Sequence, residues 1–148
     1  MALALTNITD SISNLSVTGL TIYDIDQIPE AAERDVPCLY PEGVSFIENM
    51  TAELAAFGLG TSSKWNVEYD INYTLLYAPA GSGRGVENFA KMMTLAFQIV
   101  DAVLDIATLT GAVTLKFGGI SVGPIVSDPA GNQFWGARIT FRALEFVD

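Results

Sequence analysis

Two rhythms of polar and apolar residues run along this chain, and each predicts a different kind of element. Between Val86 and Leu109 the polar positions Glu87, Lys91, Thr94, Gln98, Asp101, Asp105 and Thr108 step alternately by four and three, the period of one helix face. The spacing predicts one long helix over 86–109. Its polar stripe takes roughly a third of the circumference, whereas a helix lying on one sheet needs an apolar arc of only about 100° or a little more. Phe89, Met92, Ala96, Val100, Val103 and Ala107 lie opposite the stripe and are expected to face the domain's own sheet. Leu95, Ile99 and Ile106 form one shoulder of the apolar arc, and Met93, Phe97 and Leu104 form the other. Either the rest of the chain covers both shoulders or one of them packs on a neighbouring subunit, with Leu95, Ile99 and Ile106 as the candidate interface. The charges of Glu87, Lys91, Asp101 and Asp105 on a single stripe argue against a membrane span.

The second rhythm has period two. Trp65, Val67, Tyr69, Ile71, Tyr73, Leu75 and Tyr77 alternate with Asn66, Glu68, Asp70, Asn72 and Thr74, which predicts a strand over 64–78 with one dry and one wet face. Leu76 and Ala78 make the wet face apolar at its end, so that end is expected to be covered. Leu5, Ile8, Ile12 and Leu15 predict a short helix over 4–15, and 17–23 reads as a strand with a bulge at Gly19. An acidic connection with one helical turn at 29–34 leads to a short extended segment, 38–40, placed at a sheet edge by Pro37 and Pro41. Residues 44–60 read either as a helix over 46–57 or as an irregular strand followed by a glycine-rich turn. The last third predicts two strands: 112–127, with a break at Gly118-Gly119 and Pro124 near an edge, then, beyond a turn at 128–132, an alternation through Trp135, Ile139 and Phe141 that Leu144 to Val147 finishes.

The order of elements predicts one α+β domain over 1–148: an N-terminal helical arm, 1–16, then 17–147, a mostly antiparallel sheet of about four to five strands packed with the helix 86–109. Composition narrows the function. Seven basic residues against seventeen acidic ones give a net charge of −10, which disfavours a grip on nucleic acid because such binding needs Lys and Arg against phosphates. The imbalance sits in the first half, where residues 1–74 pair eleven acids with only Arg34 and Lys64. The chain has no histidine and one cysteine, Cys38, which removes Ser-His-Asp and Cys-His catalysis, zinc sites of the usual ligand types and an intrachain disulfide. Cys38 between prolines reads as a small packed side chain. The N-terminal residues lack the basic region of a signal peptide, and an intracellular setting is expected.

Two motifs invite a chemical reading. The turn Gly81-Ser82-Gly83-Arg84-Gly85 stands between a strand and a helix, where free amides favour an anion. It lacks the G-x-G-x-x-G spacing and the Gly-Lys-Ser/Thr ending, and the preceding strand alternates as a central parallel strand does not. Asp24 with Asp26, and Glu68 with Asp70, have the spacing that puts paired carboxylates on one strand face. Both pairs lie among other acids on an expected solvated face, so a charged surface is the simpler reading.

Taken in order, Ile28-Pro29, Val36-Pro37-Cys38-Leu39-Tyr40-Pro41, Trp65-Asn66-Val67 running into Leu75-Leu76-Tyr77-Ala78-Pro79, the glycine-rich turn before an apolar helix, and Phe134-Trp135-Gly136-Ala137-Arg138-Ile139-Thr140-Phe141 resemble the tail terminator, or tail completion, proteins of long-tailed bacteriophages. The resemblance spans about 17–147 and implies a structural virion protein without catalysis or cofactor. Such a subunit assembles in the host cytoplasm as a hexameric ring on the head-proximal end of the tail tube. It stops tube polymerisation and meets the neck, while genomic DNA passes through the lumen without specific binding. An acidic lumen would repel phosphates, and Asp24, Asp26, Glu30, Glu33, Asp35, Glu68 and Asp70 form the candidate acidic surface. The alternatives are a head-side neck or connector ring protein, a small nucleotide-binding enzyme using Gly81 to Gly85, and a monomeric binding module.

Overall fold

In the computed structural model the alternating segment becomes β4 (Ser63–Pro79), the strand on which most of the fold is built. The structure describes residues 4–30, 33–46, 51–54, 63–80, 85–106, 113–126 and 133–147. Val67, Tyr69, Ile71, Tyr73 and Leu75 on one face of β4 are fully buried. Their partners across β6 (Gln133–Val147) include Ala143, Phe141, Ile139 and Ala137, which are fully buried on the same face.

Six strands form one sheet in the order β1-β2-β4-β6-β5, with β3 pairing the start of β4 off that path. Here β1 is Thr21–Ile22, β2 is Cys38–Phe46, β3 is Thr51–Leu54 and β5 is Val113–Val126. Only β1 and β2 run parallel; the other pairs are antiparallel. Two helices, α1 (Leu5–Ser13) and α2 (Gly85–Leu104), complete an α+β fold. Ile8 and Ile12 of α1 share one buried cluster with Met92, Leu95, Ala96, Ile99, Val100 and Val103 of α2 and the dry face of the sheet. The N-terminal arm is therefore part of the core.

Several boundaries differ from the sequence expectation. Helix α2 ends at Leu104 rather than 109: the Asp105 N–H still reaches the Asp101 carbonyl, but Ile106 donates to Val103, a tighter closing turn, and packs its side chain against the core. Residues 107–110 and the turn 81–84 lie outside the described residues. The segment read as 38–40 continues through Pro41 to Phe46, with a register shift between Pro41 and Gly43. Proline is tolerated there because β1 pairs only Cys38 and Leu39, leaving no ladder bond for Pro41 to donate on its outer side among the described residues. The helix alternative for 46–57 is excluded where the structure describes it, since Thr51–Leu54 pairs with Asn66 back to Ser63. The break at Gly118-Gly119 is a bulge inside one continuous edge strand: register shifts between Phe117 and Gly119, and Gly119 takes φ 152°.

On the wet face, Leu76 joins Cys38, Tyr40 and Ile125 in a second buried cluster, covered by Tyr23, Ile28, Val36 and Phe134. The acidic connection thus lies over this end of the sheet. One polar atom of the main core is an anomaly: the Tyr73 hydroxyl is buried and has no hydrogen-bond partner among the described residues. A buried donor left unmade costs about 1–3 kcal/mol. Tyr73→Phe removes that cost with the ring retained, so thermal unfolding should rise by about 2–12 °C.

Burial raises the Tyr69, Tyr73 and Tyr40 phenols above their usual range and pushes the Cys38 thiol up to about 11. These groups are neutral when protonated, and in the fold they stay protonated after the unfolded chain has begun to ionise. The contribution of these groups is therefore unchanged below about pH 8, then falls as pH passes first the unfolded thiol value and then the unfolded phenol values, by about 1.4 kcal/mol per pH unit for each group between its unfolded and folded values. Melts between pH 7 and 11 should show a flat plateau followed by a steep alkaline decline.

Candidate functional site

Helix α2 packs across β6, β5 and β4, and that placement decides which shoulder is covered. Leu95 and Ile99 are buried in the chain's own core, Ile99 to 1% exposure, and Ile106 is half-buried against the same cluster. These residues are thus not a free face; the sequence period places them on one side of the helix but says nothing of what covers that side. Beside Leu95 runs an open groove of about 390 Å³ between α2 and the Thr18-Gly19 turn, with Lys91, Thr94 and Gln98 along it.

The opposite shoulder is the uncovered one. Phe97 is 47% exposed, and Phe89 and Leu104 are nearly as open, with Met93 half-buried between them. At 100° per residue, 89, 93, 97 and 104 fall within about 80° of one another, a continuous apolar strip. The strip leans toward the β6 and β5 side: Phe89 stands edge-on to Trp135 of β6, ring centroids 6.5 Å apart. Phe117 of β5, itself 40% exposed, extends the patch onto the edge strand. A patch of several large apolar side chains on one surface marks an interaction site more than chance exposure.

The acidic residues divide into two groups. Glu68 and Asp70 project from the wet face of β4 and meet Arg142 of β6, whose Nε and Nη2 donate to the two Asp70 carboxylate oxygens at 2.9 and 3.3 Å, while Glu68 lies 3.7 Å from Nε. The hydrogen bonds to Asp70 hold the Arg142 guanidinium above its ordinary range. Arg138 pairs with Glu42 at 3.5 Å, and the Thr74 hydroxyl donates to Glu42 at 2.6 Å. This face is charge-balanced, and Glu68 and Asp70 are poor candidates for an unneutralised acidic surface.

Asp24, Asp26, Glu30, Glu33 and Asp35 sit on the connection between β1 and β2, around a single Arg34. Glu33 closes a turn by donating its N–H to the Glu30 carbonyl at 2.8 Å. The Arg34 guanidinium lies 4.4 Å over the Tyr40 ring and donates to the Pro29 carbonyl, so it anchors the connection to the sheet. Five acids against one anchored cation make this the concentrated negative surface among the described residues. Along the sequence these acids are indistinguishable from Glu68 and Asp70, because the arginine that pairs the latter lies more than seventy residues away.

Only Gly85 of the turn 81–85 is described, at the start of α2. Glu87 in the first helical turn supplies negative charge where a phosphate would have to sit. Among the described residues no group of three or more His, Cys, Asp or Glu is placed to hold a metal ion, and no helix is long and apolar enough to cross a membrane. A scan against models of known protein families finds none that matches the chain, and a search of curated proteins finds no similar sequence.

Proposed function

We propose that this chain is a structural ring subunit, a tail terminator that caps the head-proximal end of a long-tailed phage's tail tube and joins it to the neck. The observation that carries the reading is the uncovered apolar strip Phe89, Met93, Phe97 and Leu104 beside β5, the last strand in the sheet order. Self-assembly covers such a strip, and the long central helix then lies between subunits with one shoulder in each. The ordered motifs along 17–147 favour the tail terminator among ring proteins. The acidic connection, 24–35, supplies the lumen surface past which DNA moves without adhering.

Light scattering after size exclusion, followed by negative-stain imaging, tests the ring. Six chains of 15.8 kDa come to about 95 kDa, and that fraction should show a closed ring with a central hole. Phe97→Asp, on an exposed position, should leave a folded monomer; Ile99→Asp, in the core, should unfold the chain. Added to polymerising tube protein, the wild type should cap and shorten the tubes. Unchanged tubes, with binding to capsid neck components instead, would point to the head-side connector.

A further inference from the structure

We infer that copies of this chain join head to tail through the two open edges of the sheet, the β5 edge of one copy against the second half of β2 in the next. The inference rests on the ring reading above and specifies its contact.

The sheet ends in β5 on one side, and β5 has no strand partner on its outer side among the described residues. On the other side β1 pairs only Cys38 and Leu39, so β2 beyond Tyr40 has no strand partner on its outer side among the described residues either. Open edges are templates for further pairing. Because β2 runs antiparallel to β4, β4 to β6 and β6 to β5, the two open edges point in opposite directions. A copy repeated sideways therefore continues an antiparallel ladder with no reversal.

The side chains on these edges agree with that repeat. Phe46 of β2 lies across from Tyr69, and Phe117 of β5 lies across from Phe141. Tyr69 and Phe141 both point into the core, so Phe46 and Phe117 are on the helix-bearing face at opposite edges. Phe46 is half exposed, at 51%, with its ring 5.5 Å from Tyr69. The ladder connects Phe46 through Tyr69 and Ala143 to Leu115, and Val44 through Ile71 and Phe141 to Phe117. Sideways repetition thus sets Phe46 and Val44 of one copy beside Leu115 and Phe117 of the next, beneath the strip of Phe97 and Leu104.

The head-to-tail contact covers Phe46 as well as Phe117, whereas a two-fold pairing of β5 with itself leaves Phe46 exposed. Unlike edges meeting in this way generate a ring when the rotation closes.

The test uses Phe97→Asp and Phe46→Asp in the full chain, each checked for folding by circular dichroism and measured by light scattering alone and mixed. Each alone should stay at 15.8 kDa, while the mixture, which retains one intact edge of each kind, should form one-to-one pairs of about 32 kDa and nothing larger. A Phe46→Asp protein that still associates, or a mixture that stays monomeric while the wild type assembles, overturns the head-to-tail contact and leaves the ring reading in place. A wild type that stays monomeric with and without tube protein overturns both. Phe97→Cys and Phe46→Cys with a short bismaleimide provide a second measurement without added charge, since Cys38 is buried and its thiol held protonated. Mixed, they should yield covalent dimers and singly none; dimers from either variant alone overturn the proposal.

Discussion

Gly136→Ala should destabilise this protein by about 3 kcal/mol or more, lowering thermal unfolding by about 6–12 °C. Gly136 is buried in β6 opposite Leu76, next to the irregularity between Leu76 and Ala78 that brings the neighbouring backbone close. A methyl group at Gly136 would overlap the Leu75 carbonyl oxygen and stand 2.9 Å from Ile125. The first obstacle is main chain inside a two-sided ladder, so relief requires moving β4 against β6, and overpacking of this kind is not absorbed by a rotamer change. Gly43→Ala is the matched control: nothing among the described residues lies within 4 Å of a methyl there. It should be neutral or stabilising by up to about 1 kcal/mol through the unfolded chain. Chemical denaturation of both variants checks the pair, and equal losses would mean that Gly136 is not held by this contact.

Glu145→Ala carries the second large effect, a loss of about 3 kcal/mol. Glu145 is 2% exposed on the dry face of β6, and its carboxylate accepts the Tyr69 hydroxyl at 2.6 Å and the Ala4 N–H at 3.1 and 3.2 Å. Helix α1 has no capping side chain at Ala4 and no acid in its first turn. Glu145 therefore supplies from a distant strand the acceptor and the negative charge that a helix start ordinarily finds nearby. Truncation strands a buried phenol and a helix-start amide together. Tyr69→Phe should cost about 1–2 kcal/mol, the opposite sign to Tyr73→Phe although the same atom is deleted from the same kind of ring. A double-mutant cycle between Tyr69 and Glu145 should show coupling above about 0.5 kcal/mol. Additive losses would show that the hydrogen bond contributes nothing specific.

Sequence periodicity determined much of this protein. The alternation of 64–78 located β4 and named its buried face, the apolar spacing around Ile8 and Ile12 located α1, and the four-three stripe located α2. Pro124 marked an edge strand, and β5 is one. Each of these is a local statement: a period tells which residues share a side of their own element, and backbone geometry within a few residues enforces it.

Only the tertiary structure decided what each side meets. Helix α2 has two apolar shoulders of similar hydrophobicity, and its seat across β6, β5 and β4 buries Leu95 and Ile99 while leaving Phe97 and Leu104 open. Asp24 and Asp70 are the same residue type in equally acidic surroundings, yet Asp70 is paired because β6 delivers Arg142 across from it. Residues 51–54 are a strand because the start of β4 runs past the next strand's end and offers them a ladder. Gly136 is indispensable because of a carbonyl on another strand, and α1 is capped from 141 residues away. Such outcomes depend on which distant segments the fold brings into contact, and spacing along one chain holds no record of that.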